Sequence, residues 1–334
     1  MGTPLQSGSR SASVTEPSDD DLCIISLCAT EGVGPASVAM LQRAAQSRGV
    51  SLRAAMALPV AELEADLGLS PPVARAVAGI ASPLAAGRAL LERLSRMGIR
   101  AVTAGDPDYP ERLTECLGLY APPVLFLAGE PSLLRRPSLA IVGSRRPSNA
   151  AVEAASSLAR QQAATGVTIV SGGAHGIDTA GHVAAARAGG TVVVPALGVA
   201  RFRWPLPGGA GIAEGHWCAV GQFPPQSGWR AAQALIRNRT IVALSDAVVA
   251  FEPRDSGGTW HSSITALQMR KPLFLVTAAR DGAKGRGLMR LVRQGAVALD
   301  PRRMPDAPAL ARLVAEYRPP PSPDQLALFD GAGP

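Results

Sequence analysis

Residues 138–182 read SLAIVGSRRPSNAAVEAASSLARQQAATGVTIVSGGAHGIDTAGH, and the order of segments within them decides the fold. Leu139-Ala140-Ile141-Val142 is an apolar run of strand length. The turn Gly143-Ser144-Arg145-Arg146-Pro147-Ser148-Asn149 follows, then an alanine-rich helix over about 150–165, closed by Gly166. A second strand, Val167-Thr168-Ile169-Val170, enters the turn Ser171-Gly172-Gly173-Ala174-His175-Gly176-Ile177-Asp178, and a second helix begins near Thr179. Strand, turn and helix, twice over, predict a parallel sheet with crossover helices.

Both turns join the carboxyl end of a strand to the amino end of a helix. Unpaired backbone N–H groups and the partial positive charge of the helix end favour phosphate there. Neighbouring turns of an open parallel sheet share one crevice. Gly143, Gly172 and Gly173 lack a Cβ, so a ligand can approach the main chain; the same glycines also suit tight turns with no ligand. Arg145 and Arg146 add fixed charge beside the first turn. Farther on, the apolar run Ala247-Val248-Val249-Ala250-Phe251 ends at Glu252. Arg254-Asp255-Ser256-Gly257-Gly258-Thr259 then makes a third glycine turn before a helix over 260–269. The first turn matches neither G-x-G-x-x-G nor G-x-x-x-x-G-K-[ST], which argues against an ordinary dinucleotide cofactor and against an NTPase.

Three ordered motifs, AIVGSRRPSN, VSGGAHGIDTAGH and LIRNRTIVALSDAVVAFEPRDSGGTWHSS, resemble the DNA-processing protein A family, also called Smf. GDPDYPERL and PPVLFLAGE upstream extend the resemblance, which runs from about Asp21 to Asp300. It implies an extended Rossmann-like parallel sheet flanked by helices, preceded by a small all-α domain of the SAM or helix-hairpin-helix kind. It also implies a protein that binds single-stranded DNA, forms a homodimer and loads RecA recombinase, with no established catalytic centre. The residues expected to meet DNA or phosphate are then Gly143, Ser144, Arg145, Arg146, Ser171, Gly172, Gly173, Arg237, Asn238, Arg239, Ser256, Gly257, Gly258 and Lys284. In the family, the Arg237-Asn238-Arg239 triplet either lies against DNA or supports the loops that do. Trp204 stands where the family has tyrosine. With Arg201 and Arg203 close before it, it either stacks a base or caps the sheet edge. The stretches 208–228 and 277–288 depart from the family pattern, and too few residues follow Asp300 for the winged-helix domain that many members carry.

The partition expected is a disordered tail over 1–20, a helical domain over 21–98, the Rossmann-like domain over 99–300, and a short helix, stiff proline-rich linker and flexible tail over 301–334. Within the helical part, Gly32-Val33-Gly34 separates two helices; such a hairpin either presents amides to a phosphate or simply packs. In the tail, Gln325, Leu326, Leu328 and Phe329 resemble the motif by which bacterial proteins bind the DNA sliding clamp; the alternative is a tail strapped to its own domain.

The chain carries a formal net charge of +7, almost all of its positive charge as arginine. Between Arg254 and Arg303, basic residues outnumber acidic ones by about three to one, a local excess that suits a polyanion. Cys23, Cys28, Cys116 and Cys218 show no C-x-x-C pairing and form no zinc pattern with the four histidines, which fits free thiols in a reducing cytosol and no metal. Residues 1–20 hold no signal-type apolar region, and no run reaches the ~20 residues needed to cross a bilayer, so a cytoplasmic location away from membranes is expected. Two rivals stay open. One is a nucleotide-binding or nucleotide-cleaving enzyme of the same fold, with Asp178 and Glu252 as candidate acids but no nucleophile–base pair. The other is a sensor of DNA or a nucleotide signal in a defence system.

Overall fold

The computed structural model describes residues 16–204, 213, 215–277 and 285–319, with the backbone alone at 285 and 286. Lys284 and the tail motif Gln325, Leu326, Leu328 and Phe329 lie outside the described residues, as do residues 1–15.

Six helices come first among the described residues: α1 (Asp19–Ala29), α2 (Pro35–Arg48), α3 (Leu52–Met56), α4 (Val60–Ala65), α5 (Pro71–Ala78) and α6 (Pro83–Ser95). Ser18 starts α1 with a reciprocal cap: its hydroxyl accepts from the Asp21 amide, and its own amide donates to the Asp21 carboxylate. The turn at Gly32 (φ 87°) falls between α1 and α2 as the sequence indicates. The single-turn helix α3, begun by a Ser51 cap on the Ala54 amide, is too short to show a period in the sequence.

The sheet elements follow as β1 (Ile99–Thr103), α7 (Arg112–Leu117), β2 (Val124–Gly129), β3 (Ser138–Gly143), α8 (Asn149–Ala164), β4 (Thr168–Ser171), α9 (Ile177–Ala188) and β5 (Thr191–Val193). Next come β6 (Trp217–Gly221), α10 (Ala231–Leu244), β7 (Ala247–Phe251), α11 (Gly258–Gln268), β8 (Leu273–Val276), α12 (Gly285–Arg293), β9 (Val297–Leu299) and α13 (Ala307–Glu316). Among the described residues, nine strands form one sheet in the order β1-β2-β6-β5-β4-β3-β7-β8-β9. The β1–β2 and β2–β6 pairings are antiparallel, and the other six are parallel. The chain winds from β3 outward through β4, β5 and β6, then returns to place β7 on the other side of β3. The order therefore reverses at β3–β7, and the crevice outside the carboxyl ends of those strands is where open α/β sheets bind ligands.

Side chains on each central strand alternate between two apolar layers. Leu139 and Ile141 pack with α8, α9 and α13, while Ala140 and Val142 face the layer of α10, α11 and α12. The α8 helix buries Ala151, Ala154, Ala155, Leu158, Ala159 and Ala163, one stripe at helical spacing. Such small side chains let α9 approach closely, and a Cβ on Gly189 would collide with the Ala163 carbonyl. The helices α1–α6 share a core with the antiparallel half of the sheet: Leu27, Leu41 and Leu63 pack in the same cluster as Val124, Phe126, Ala128 and Ala219. The short strands β6 and β9 and the helices α7 and α12 lie in stretches for which the sequence pattern alone predicts no element.

Candidate nucleic-acid interface

A crevice of about 590 Å³ opens at the reversal point. Its walls come from the end of β3 and the first turn (Val142–Arg146), the third turn (Arg254 to Thr259), one face of α10 and two residues of the second turn, Ala174 and Asp178. On α10 the lining positions are Ala231, Ala234, Leu235, Arg237, Asn238 and Ile241, so one side of that helix forms one wall.

The third turn is open. Ser256, Gly257 and Gly258 are exposed, Gly257 adopts φ 91°, and a Cβ added there would meet nothing within 4 Å. Among the described residues no side chain caps the amino end of α11, so the amides of Gly258, Thr259 and Trp260 have no partner within the helix. Exposed Arg145, Arg146 and Arg254 stand on the same crevice and make no ion pair among the described residues. Together these groups offer main-chain donors, a helix dipole and exposed guanidinium forks, the set that suits phosphate.

The second turn is closed, contrary to expectation. Ser171 is fully buried and donates to the Ile141 carbonyl at 2.5 Å. The amides of Gly172 and Ala174 donate to the Asp178 carboxylate at 3.2 and 3.3 Å. The space beside Gly172 is filled by the Arg237 guanidinium, and Gly173 faces Val193. Ser171, Gly172 and Gly173 are glycine-turn residues for internal packing and do not line the crevice. Gly143 does line it, yet its missing side chain makes room for Ile177: a Cβ would sit 2.6 Å from Ile177 Cγ1. The Ser144 amide is likewise spent, donating to Phe251 O at 3.2 Å.

Arg237 and Asn238 brace the turns rather than reach solvent. Arg237 is 6% exposed, and its Nη1 donates to the carbonyls of Gly172 and Val194, the latter at 2.5 Å. Asn238 Nδ2 donates to Gly258 O at 3.3 Å. Adjacent residues of α10 thus tether the second and third turns, the loop-supporting one of the two roles that the resemblance allows the Arg237-Asn238-Arg239 triplet. Arg239 is half-buried beside His261 and outside the crevice lining. Burial pushes the Asp178 carboxyl up, opposed by Arg237 and by the two amides. Glu252, at φ 49°, holds the amino end of α8: its carboxylate accepts from the Ser148 amide and, at 2.6 Å, from the Ser148 hydroxyl. Both acids that an enzyme reading would use are therefore engaged in holding turns.

Trp204 is 9% exposed and packs edge-on against His182 and Phe202, with ring centroids 5.6 Å away, and against Trp217 at 5.9 Å. It belongs to the apolar cluster that α1–α6 share with the sheet, so little of its ring is open to a base. The aromatic that does stand in the crevice is Trp229, 55% exposed. No motif in the sequence marks it; its one signal is its position just ahead of the helix that carries Arg237.

The model of the DNA recombination-mediator protein A family matches residues 100–304. The DNA processing protein DprA of Bacillus subtilis is 27% identical over 215 residues, covering 63% of this chain and 71% of that protein. The putative DNA processing protein DprA of Mycobacterium tuberculosis is 30% identical over 225 residues, covering 62% of this chain and 56% of its own length. Among solved structures, DprA of Streptococcus pneumoniae superposes with a TM-score of 0.68 over 90% of this chain and 98% of that one, at 20% identity. DNA processing protein A of Helicobacter pylori, described for its single-stranded DNA binding mode, gives a TM-score of 0.54 at 25% identity over 65% of this chain and 97% of that one. Ordered motifs, sheet topology and matched span agree, and the chain belongs to the DNA recombination-mediator protein A family.

Proposed function

We propose that this chain binds single-stranded DNA through the crevice at β3–β7 and passes the strand to RecA. The observation that carries the reading is that three exposed arginines, Arg145, Arg146 and Arg254, share the crevice with the amino end of α11, which no side chain among the described residues caps. Phosphates are gripped by charge and by main-chain donors, and sequence is left largely unread. Family membership and the single-stranded DNA binding of the Helicobacter pylori relative support single-stranded DNA as the ligand. The protein acts as a mediator, not as an enzyme, in the cytoplasm, and no helix among the described residues is long and apolar enough to cross a membrane. It works as a homodimer, and the segment Gln325, Leu326, Leu328 and Phe329 recruits the sliding clamp.

The test is affinity for a labelled oligo-dT measured against salt. Wild type should give a steep log–log slope, and Arg145→Ala with Arg146→Ala should flatten it by about 1.4, two phosphate contacts at about 0.7 each for a single strand. An unchanged slope in the double variant sinks the crevice as the DNA site. RecA-dependent ATP hydrolysis on a strand precoated with single-strand-binding protein should start earlier with wild type and not with the double variant; equal lag times would remove the mediator role.

A further inference from the structure

The crevice has an apolar side as well as a cationic one. Trp229 and Leu235 line it at 55% and 45% exposure, with Ala231 and Ala234 as small neighbours on the same α10 face. A large aromatic and a leucine held in water beside arginines cost hydrophobic free energy unless a ligand covers them. The ligand must therefore combine anionic groups with flat apolar faces. Duplex DNA presents its charge but keeps its base faces stacked inside; an unpaired strand presents both. We propose that Trp229, supported by Leu235, is a base-stacking platform that makes this crevice select unpaired bases over duplex, a reading that rests on the crevice being the DNA site. Indole stacking is tolerant of sequence, since every base has a π-face, so the platform adds affinity for a single strand without a base code.

The experiment compares two probes of equal length and charge, an oligo-dT and an abasic deoxyribose-phosphate strand, at one salt concentration. Wild type should bind oligo-dT about tenfold or more tightly than the abasic strand, the range that base–aromatic stacking gives. Trp229→Ala should close most of that gap, and Trp229→Phe should restore most of it; matching thermal melts show that the variants are folded. If Trp229→Ala keeps the full preference for oligo-dT, or loses affinity equally for both probes, the platform is refuted. If Arg145→Ala with Arg146→Ala also leaves both probes bound as in wild type, the DNA site itself lies elsewhere, and that failure is separate from the first. Sedimentation decides the remaining occupant: a shift from dimer to monomer in Trp229→Ala, with the oligo-dT preference intact, would assign the indole to a second copy of this chain and overturn the proposal.

Discussion

Ser171-Gly172-Gly173 and Ser256-Gly257-Gly258 are the same tripeptide, each at the carboxyl end of a buried parallel strand, and the protein uses them in opposite ways. The first is turned inward. Its serine is fully buried, one of its amides is held by Asp178, and a guanidinium packs on its glycine. The second is turned outward, with an empty space beside Gly257 and a helix end that no described side chain caps. The difference is set by partners supplied elsewhere. Asp178 lies six residues past Gly172 and reaches back to the amides, whereas the third turn meets Asn238, which holds its Gly258 carbonyl and leaves its amides alone. A glycine turn binds anions only if the chain has not already provided one.

Removing the brace is the strongest way to break this contrast. Arg237→Ala strips the closed turn of the guanidinium packed on it, leaving the Asp178 carboxylate buried without that counter-charge and the Gly172 and Val194 carbonyls without a donor. Each buried carbonyl left without its donor costs about 1–3 kcal/mol, so the urea midpoint should fall steeply. Next in size, Gly172→Ala and Gly257→Ala should each lose roughly 1–3 kcal/mol, for different reasons. The first pushes a methyl into Arg237; the second forces a side chain to φ 91°. A double-mutant cycle separates them. Gly172→Ala should be strongly non-additive with Arg237→Ala, and Gly257→Ala should add. Additivity at both positions would mean that the turns do not differ as described.

Much of the fold is legible because its signals are local. The continuous apolar runs of β3, β4 and β7 mark strands buried on both faces, and the alanine stripe of α8 marks a helix that packs closely. Tyr109, in the GDPDYPERL motif, is buried, its hydroxyl donating to Pro122 O at 2.7 Å. The strands β6 and β9 are three to five residues long and carry no period of their own; they exist because neighbouring strands pair with them. At the site, position along the chain shows where the glycine turns fall, but not which way their amides point. That depends on Asp178, Arg237 and Asn238 arriving from elsewhere. Trp204, close after Arg201 and Arg203, has the composition of a stacking site, yet its burial is decided by His182, Phe202 and Trp217, which sequence does not place together.

Acid sharpens the comparison more gently. His182 lies buried on α9 behind the closed turn, its Nδ1 2.7 Å from Thr191 Oγ1. Burial, with Arg237 adding repulsion, pulls its pKa down to about 3. The unfolded chain titrates near 6.5, so between those values the unfolded state binds more protons and stability falls as pH falls. Moving from pH 7.5 to 5.5 should cost about 1.4 kcal/mol from this residue. Protection factors, taken relative to the intrinsic exchange rate at each pH, should fall at the Gly172 and Ala174 amides over that range more than at the α11 end, where His261 is only partly buried and shifted in the same direction. A His182→Gln chain should show a flatter stability profile over the same pH interval; an identical profile would clear His182 of the effect.

The smallest effect on stability, and the most specific, belongs to Arg254→Ala on the open turn. Arg254 is exposed and makes no ion pair among the described residues, so its loss should change the urea midpoint by less than about 0.5 kcal/mol. If it meets a phosphate, the salt slope for oligo-dT should still flatten by about 0.7. The same change at Arg237 would alter stability heavily and the slope only through unfolding, because that guanidinium is already held by two carbonyls. The pair of measurements thus reads out the two kinds of arginine independently: one that builds a turn and one that serves a ligand. Should Arg254→Ala leave the slope untouched while Arg237→Lys flattens it in a folded protein, the assignment of open and closed turns would have to be exchanged.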